Sequence, residues 1–271
     1  MKLSRFFRTT LMLVVVCALS ACASSQKRGW EPNAKNEGIV ATTNETPPQV
    51  NQQLENIRKN AFSVIRTEMV IAGMSMDNPM IIRAFKNEMQ LELWVKSSYH
   101  NRYELFKTYN ICSKSGSLGP KLKEGDLQTP EGFYNVTKDR LNPNSRFFLS
   151  FNIGYPNEFD RAHNRTGSLL MIHGSCVSEG CLAMTDANIA EIYLIVEQNF
   201  KYGHKSIPIH IYPFRMTPEN MKLRSLSQWY PFWLNLKQGY DYFEKYRSPP
   251  KVSVRNKRYV FSHPAEYALM Q

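Results

Sequence analysis

Leu169-Leu170-Met171-Ile172-His173-Gly174-Ser175-Cys176-Val177-Ser178-Glu179-Gly180-Cys181-Leu182-Ala183-Met184 is the stretch on which the reading of this 271-residue chain turns. An apolar strand ends in a histidine, and a glycine-flanked loop brings back a cysteine. Little of a free cysteine is thiolate near neutral pH, so a catalytic one needs a base or a positive neighbour, and His173 is the nearest candidate in sequence. Gly180 permits a tight turn before the nucleophile, whose backbone N–H groups, those of Gly180 and Cys181 among them, can face a tetrahedral oxyanion. A zinc site built from His173, Cys176 and Cys181 with Cys112 as fourth ligand is the competing reading, but the spacing fits no common zinc pattern. The expectation is therefore a cysteine–histidine pair with no metal and no cofactor.

Outward from this segment the chain alternates. Met80 to Phe85, the turn residues Lys86-Asn87-Glu88, and Met89 to Val95 read as a hairpin. Tyr103 to Ile111 forms a further strand, and Gly and Pro punctuate a long loop from Ser113 to Gly132. Phe133 to Thr137 and Ser168 to His173 read as strands; Thr185 caps a helix through Ile189, Ile192, Val196 and Phe200; Ile207 to Phe214 returns to strand. Before the core, Leu54, Ile57, Phe62, Ile65 and Met69 recur at helical spacing, so residues 54–78 form a helical segment. After it, Trp229, Trp233, Tyr240 and Phe243 mark an aromatic extension, residues 216–271, packed on the domain; a sugar-stacking platform is the alternative use of those rings. Periodicity by itself establishes only a β-rich middle.

With these residues in view, the chain resembles the L,D-transpeptidase catalytic (YkuD-type) family, whose hallmark is His-Gly followed downstream by Ser-x-Gly-Cys. Leu118-Gly119-Pro120-Lys121, Gly125-Asp126 and Thr129-Pro130-Glu131-Gly132-Phe133-Tyr134 extend the likeness upstream, and it covers most of residues 79–215. The short His-to-Cys spacing, Asp160-Arg161-Ala162-His163 and Tyr212-Pro213-Phe214-Arg215-Met216 place it nearest the YafK-like murein subgroup. The resemblance implies an α+β fold, mainly an antiparallel β-sandwich with flanking helices. It also implies Cys181 as nucleophile, His173 as general base, and Gly174 orienting the imidazole through its carbonyl. The thiol would attack the diaminopimelate carbonyl of a peptidoglycan stem peptide to give a thioester, resolved by an amine or by water. Because the subgroup includes an amidase that frees a peptidoglycan-linked lipoprotein, hydrolysis is the preferred outcome. Glu179 and Ala183 depart from the usual family pattern of His and Arg at those places. Arg161 and His163, with Arg165, are candidates for binding a stem carboxylate, a solvated loop being the alternative.

The N-terminus adds a location. A charged start and an apolar run from Thr9 to Leu19 have the form of a secretory signal, and Leu19-Ser20-Ala21-Cys22 resembles the bacterial lipobox. Residues 1–21 are then removed, Cys22 carries the lipid, and Ala23 rather than Asp after it implies delivery to the inner leaflet of the outer membrane, facing the periplasm. Residues 22–53 are polar and Pro-containing, a tether whose r.m.s. reach is about 30 Å. Of the five cysteines, Cys112 and Cys176 remain for pairing once Cys17 leaves, Cys22 is acylated and Cys181 is kept free; two buried thiols are the alternative. The formal charge of +11 falls to +8 when Lys2, Arg5 and Arg8 leave with the leader. In a secreted chain without a nucleic-acid motif, that field suits carboxylate-bearing stems and gives no reason to expect nucleic acid as a partner. The non-enzymatic alternative is a peptidoglycan-binding lipoprotein in which the Cys–His pair is accidental.

Overall fold

In the computed structural model, residues 48–263 are described; the proposed leader 1–21, the lipidation site Cys22 and the tether up to residue 47 lie outside the described residues. Helix α1 spans Pro48–Ile71, so it takes in residues 48–53 that composition assigns to the tether; proline suits a first helical turn, where its missing N–H has no partner to lose. Then follow β1 (Met80–Phe85), β2 (Gln90–Lys96), β3 (Tyr103–Asn110), β4 (Ser113–Lys114), β5 (Gly132–Val136), β6 (Leu141–Asn142) and β7 (Ser150–Asn152). Helix α2 (Glu158–Ala162), β8 (Met171–His173), β9 (Leu182–Ala183), α3 (Asp186–Lys201) and β10 (Ile207–Tyr212) complete the core. The C-terminal part consists of α4 (Pro218–Leu223), α5 (Tyr230–Tyr246), β11 (Lys251–Arg255) and β12 (Arg258–Ser262).

Two five-stranded sheets carry the fold, ordered β3-β2-β1-β10-β5 and β4-β9-β8-β7-β6. Among the described residues β1/β10 and β8/β9 run parallel and the other pairings are antiparallel. Ile82, Ala84, Leu91 and Leu93 of the first sheet join Phe151, Ile172 and Leu182 of the second and Ile192, Ile195 and Val196 of α3 in one core. Burying each such aliphatic side chain contributes about 1.5–3 kcal/mol. Thr185 accepts the Asn188 N–H at 3.2 Å, which caps α3 and aims its apolar face at that core.

Every residue of β1 is buried, because its second face is covered as well. Phe85 and Tyr212 meet Trp233, Tyr240 and Phe214 in a second cluster, so the aromatic extension packs on the outer face of the first sheet. Arg83 lies in that layer with its guanidinium 4.3 Å from the Phe243 ring and 2.8 Å from Glu244. A buried cation needs such partners.

Three local differences from the sequence expectations have physical causes. The strand expected from Ser168 begins only at Met171, since Leu169 sits at φ 52° and breaks the extended backbone. The long loop after Ser113 contains the short β4, paired with β9. The hairpin β11–β12 follows the aromatic helix, and its turn residues Asn256 and Lys257 take φ 50° and 59° without the glycine that normally announces such a turn.

Candidate active site

Parallel pairing of β8 with β9 sets the geometry. Ile172 is in register with Leu182 and His173 with Ala183, which puts Cys181, one residue before β9, beside Met171. Side chains two apart on a strand share a face, so Cys181 and His173 emerge on the same side of the sheet. Both line one cavity of about 630 Å3, together with Lys121, Arg146, Phe147 and Glu179. The Met171 N–H approaches Cys181 Sγ at 3.3 Å.

His173 is 2% exposed, and its Nδ1 lies 2.6 Å from the Gly174 carbonyl oxygen. A carbonyl only accepts, so Nδ1 carries the proton and Nε2 keeps a lone pair. The Phe147 ring lies 4.8 Å from the imidazole at 32°. Gly174 in turn donates its N–H to the carbonyls of Phe147 at 3.0 Å and Leu149 at 3.3 Å. A Cβ at position 174 would lie 2.5 Å from Asp186 Oδ1, the oxygen that accepts the Ser175 N–H at 2.8 Å. Glycine is required there by space. At Gly180 the requirement is conformational, with φ at 116°.

Burial lowers the His173 pKa, and its bond to Gly174 opposes the shift. Burial raises the Cys181 pKa; the Met171 N–H and the Lys121 ammonium pull it back, while Glu179 adds to the rise. Burial thus disfavours the charged form of both groups, the imidazolium of His173 and the thiolate of Cys181. Ser178 Oγ and Thr129 Oγ1 donate to the Cys181 carbonyl at 2.8 and 3.3 Å, which fixes the backbone of the turn. The N–H groups of Gly180 and Cys181 meet no acceptor among the described residues.

Cys112 and Cys176 are joined by a disulfide with Cα atoms 5.2 Å apart, and Cys181 is free. The bond ties the loop between His173 and Cys181 to the chain just before β4. Closing a loop over a sequence separation of 64 residues contributes about 4 kcal/mol in the chain-entropy picture. Ser175 and Cys176 sit at φ 67° and 50°, conformations that need such support. Among the described residues no group of three or more His, Cys, Asp or Glu is placed to hold a metal ion.

Arg161 and His163 are exposed on and after α2 and do not line the Cys181 cavity. Arg161 donates to the Pro156 carbonyl, and His163 Nδ1 lies 2.9 Å from the Phe159 oxygen. Arg165 is buried and paired with Asp160 at 2.9 Å. Phe147 and Asp186 were not legible as site residues: each acts by contact with Gly174 across the fold, and no local pattern announces that. Lys121 had a signal, since it ends the Leu118-Gly119-Pro120-Lys121 motif.

Residues 79–211 match the L,D-transpeptidase catalytic domain (YkuD). The chain is 49% identical over 196 residues to "Putative L,D-transpeptidase YafK" of Escherichia coli, from both strain K12 and O157:H7, covering 72% of this chain and 79% of each relative. Among solved structures, the helical cell shape determining protein Pgp2 from Campylobacter jejuni is similar with a TM-score of 0.42 at 22% identity, over 72% of this chain and 68% of that one. At half identity across most of both chains, with the His-Gly and Ser-x-Gly-Cys elements in place, this chain belongs to the L,D-transpeptidase family.

Proposed function

We propose that the protein is a peptidoglycan-modifying cysteine enzyme in which Cys181 captures an acyl group of a stem peptide as a thioester. The observation that carries this reading is the imidazole of His173, held through Nδ1 by the Gly174 carbonyl, in the same cavity as the free thiol of Cys181. As Sγ attacks the carbonyl carbon at the L-centre of diaminopimelate, the thiol proton passes to Nε2. Charge gathers on the carbonyl oxygen, where the N–H groups of Gly180 and Cys181 can donate. Collapse breaks the C–N bond, and the departing amine takes the proton from His173. Attack on the thioester by a second stem's amine gives a crosslink; attack by water gives hydrolysis of a crosslink or of a lipoprotein–peptidoglycan linkage. Hydrolysis is the preferred outcome. The lipobox-like Leu19-Ser20-Ala21-Cys22 supports a lipid-anchored enzyme working in the periplasm from the outer membrane.

The test is to mix the protein with tetrapeptide muropeptides and, separately, with lipoprotein-linked peptidoglycan, following products and the mass of the protein. An acyl adduct on Cys181 is expected, with dimers marking transfer and freed protein or cleaved linkages marking hydrolysis. Cys181→Ala and His173→Ala abolish turnover on this reading. Full activity in Cys181→Ala protein sinks it, and ligand returned unchanged by the unaltered protein marks a binding module instead.

A further inference from the structure

A second cavity, of about 320 Å3, lies between α2, the start of α5 and the tip of the β11–β12 hairpin. The half-buried rings of Trp229 and Phe232 line it; beneath them the buried Phe159 stacks on Phe232 at 5.4 Å and on Tyr259 at 4.2 Å, and the buried Arg165 guanidinium lies 5.1 Å from both phenylalanine rings. His163, Lys257 and Arg258 complete the lining, and neither Asp nor Glu contributes to it among the described residues. Asp160 holds Arg165 through Nη1 and offsets its charge. Among the described residues neither Lys257 nor Arg258 has an ion pair or a side-chain hydrogen bond, and no carboxylate lines the cavity beside them. Lys257 occupies a left-handed position at the tip of the hairpin, with φ 59°.

This cavity adjoins the Cys181 site. Arg165 lines one and Ser168 the other, and three residues of chain span at most about 11 Å. On the other side, Trp229 of this cavity packs so closely on Gly119 that a Cβ there would lie 2.4 Å from its indole nitrogen; Lys121, two residues on, lines the Cys181 cavity.

We propose that the aromatic and cationic cavity binds a carboxylate-bearing stem of the same peptidoglycan strand whose neighbouring stem is at Cys181. The inference rests on the peptidoglycan reading above. The stem peptides of such a strand repeat free carboxylates, anionic groups that the exposed Lys257 and Arg258 can pair, and the half-buried rings of Trp229 and Phe232 can pack against the aliphatic parts of the same stem. Engaging two sites on one chain raises the effective concentration of the second contact, so binding favours polymer over a single stem.

The experiment uses full-length protein carrying Cys181→Ala, so that binding is read without turnover, and compares it with the same protein carrying Lys257→Glu and Arg258→Glu. Co-sedimentation with purified peptidoglycan sacculi should weaken at least fivefold on charge reversal, and Lys257→Arg with Arg258→Lys should retain binding. Sacculi whose stem carboxylates are amidated should bind both proteins equally weakly. With Cys181 present, adduct formation by a short tetrapeptide muropeptide should not change on charge reversal. Equal sacculus binding by the two proteins overturns the proposal, as does lost binding to anionic phospholipid vesicles with sacculus binding intact. Absence of any Cys181 adduct, with sacculus binding still lost on charge reversal, overturns the catalytic reading and leaves this site standing.

Discussion

Replacing Lys86 by Met tests whether the loop beside Cys181 is held by a buried charge. Lys86 and Glu131 are both fully buried, with Nζ 3.0 Å from Oε1. Nζ also donates to the carbonyls of Gly119 at 2.9 Å and Thr129 at 2.8 Å, and Glu131 further accepts the Gly119 N–H at 2.7 Å and the Trp233 indole N–H at 2.9 Å. Burial lowers the Lys86 pKa and the Glu131 carboxylate opposes this. Methionine keeps the stem and removes the charge, leaving a buried carboxylate without its cation and two carbonyls without that donor. Breaking a buried pair in this way costs about 3–5 kcal/mol, a large share of the roughly 5–15 kcal/mol that holds a domain folded. Urea unfolding of the oxidised protein measures it. Lys86→Met with Glu131→Gln should recover part of the loss, because no charge is then stranded. Activity should fall beyond the loss of folded protein, since Thr129 bonds the Cys181 carbonyl and Gly119 leads into Lys121. A single-variant cost under about 1 kcal/mol, or a double variant that loses the simple sum, refutes the reasoning.

Four further outcomes follow from the same geometry. The pH profile of kcat/KM should hold down past the ordinary histidine range before its acidic limb falls, because burial lowers the His173 pKa, and its alkaline limb should lie above the ordinary thiol range; an acidic limb above pH 7 contradicts the assignment. Gly174→Ala should cut kcat at least tenfold, measured by product formation, since its Cβ has to displace Asp186 or the Phe147 backbone. Gly180→Ala should cost about 1–2 kcal/mol of stability in urea unfolding, because φ of 116° disfavours any side chain. His210 is buried and its pKa is pushed down to about 3 by burial and by Arg83. The unfolded chain therefore takes up that proton first: its contribution is complete above about pH 6.5 and declines toward pH 3, costing about 2 kcal/mol by pH 5. Calorimetry of His210→Phe should show a shallower loss over that interval than the unaltered protein.

Much of this molecule is readable along the chain because the signals are local. Alternation in Met80 to Val95, the Thr185 cap and the apolar run of α3 each act within a few residues, and the His-Gly and Ser-x-Gly-Cys elements sit in one short segment. The residues themselves determine which groups are chemically capable, Cys181 and His173 foremost, and why glycine precedes the thiol. Only the tertiary structure decides which of them meet. Parallel pairing of β8 with β9 brings the two side chains to one face; Phe147 and Asp186 then crowd Gly174 from elements distant in sequence. The same folding carries Arg161 and His163 away from the thiol and sets His163 in a separate basic cavity with Lys257 and Arg258. Periodicity records which face of an element is apolar, whereas strand register and the packing of remote segments arise from long-range contacts, and those determine where each capable group is placed.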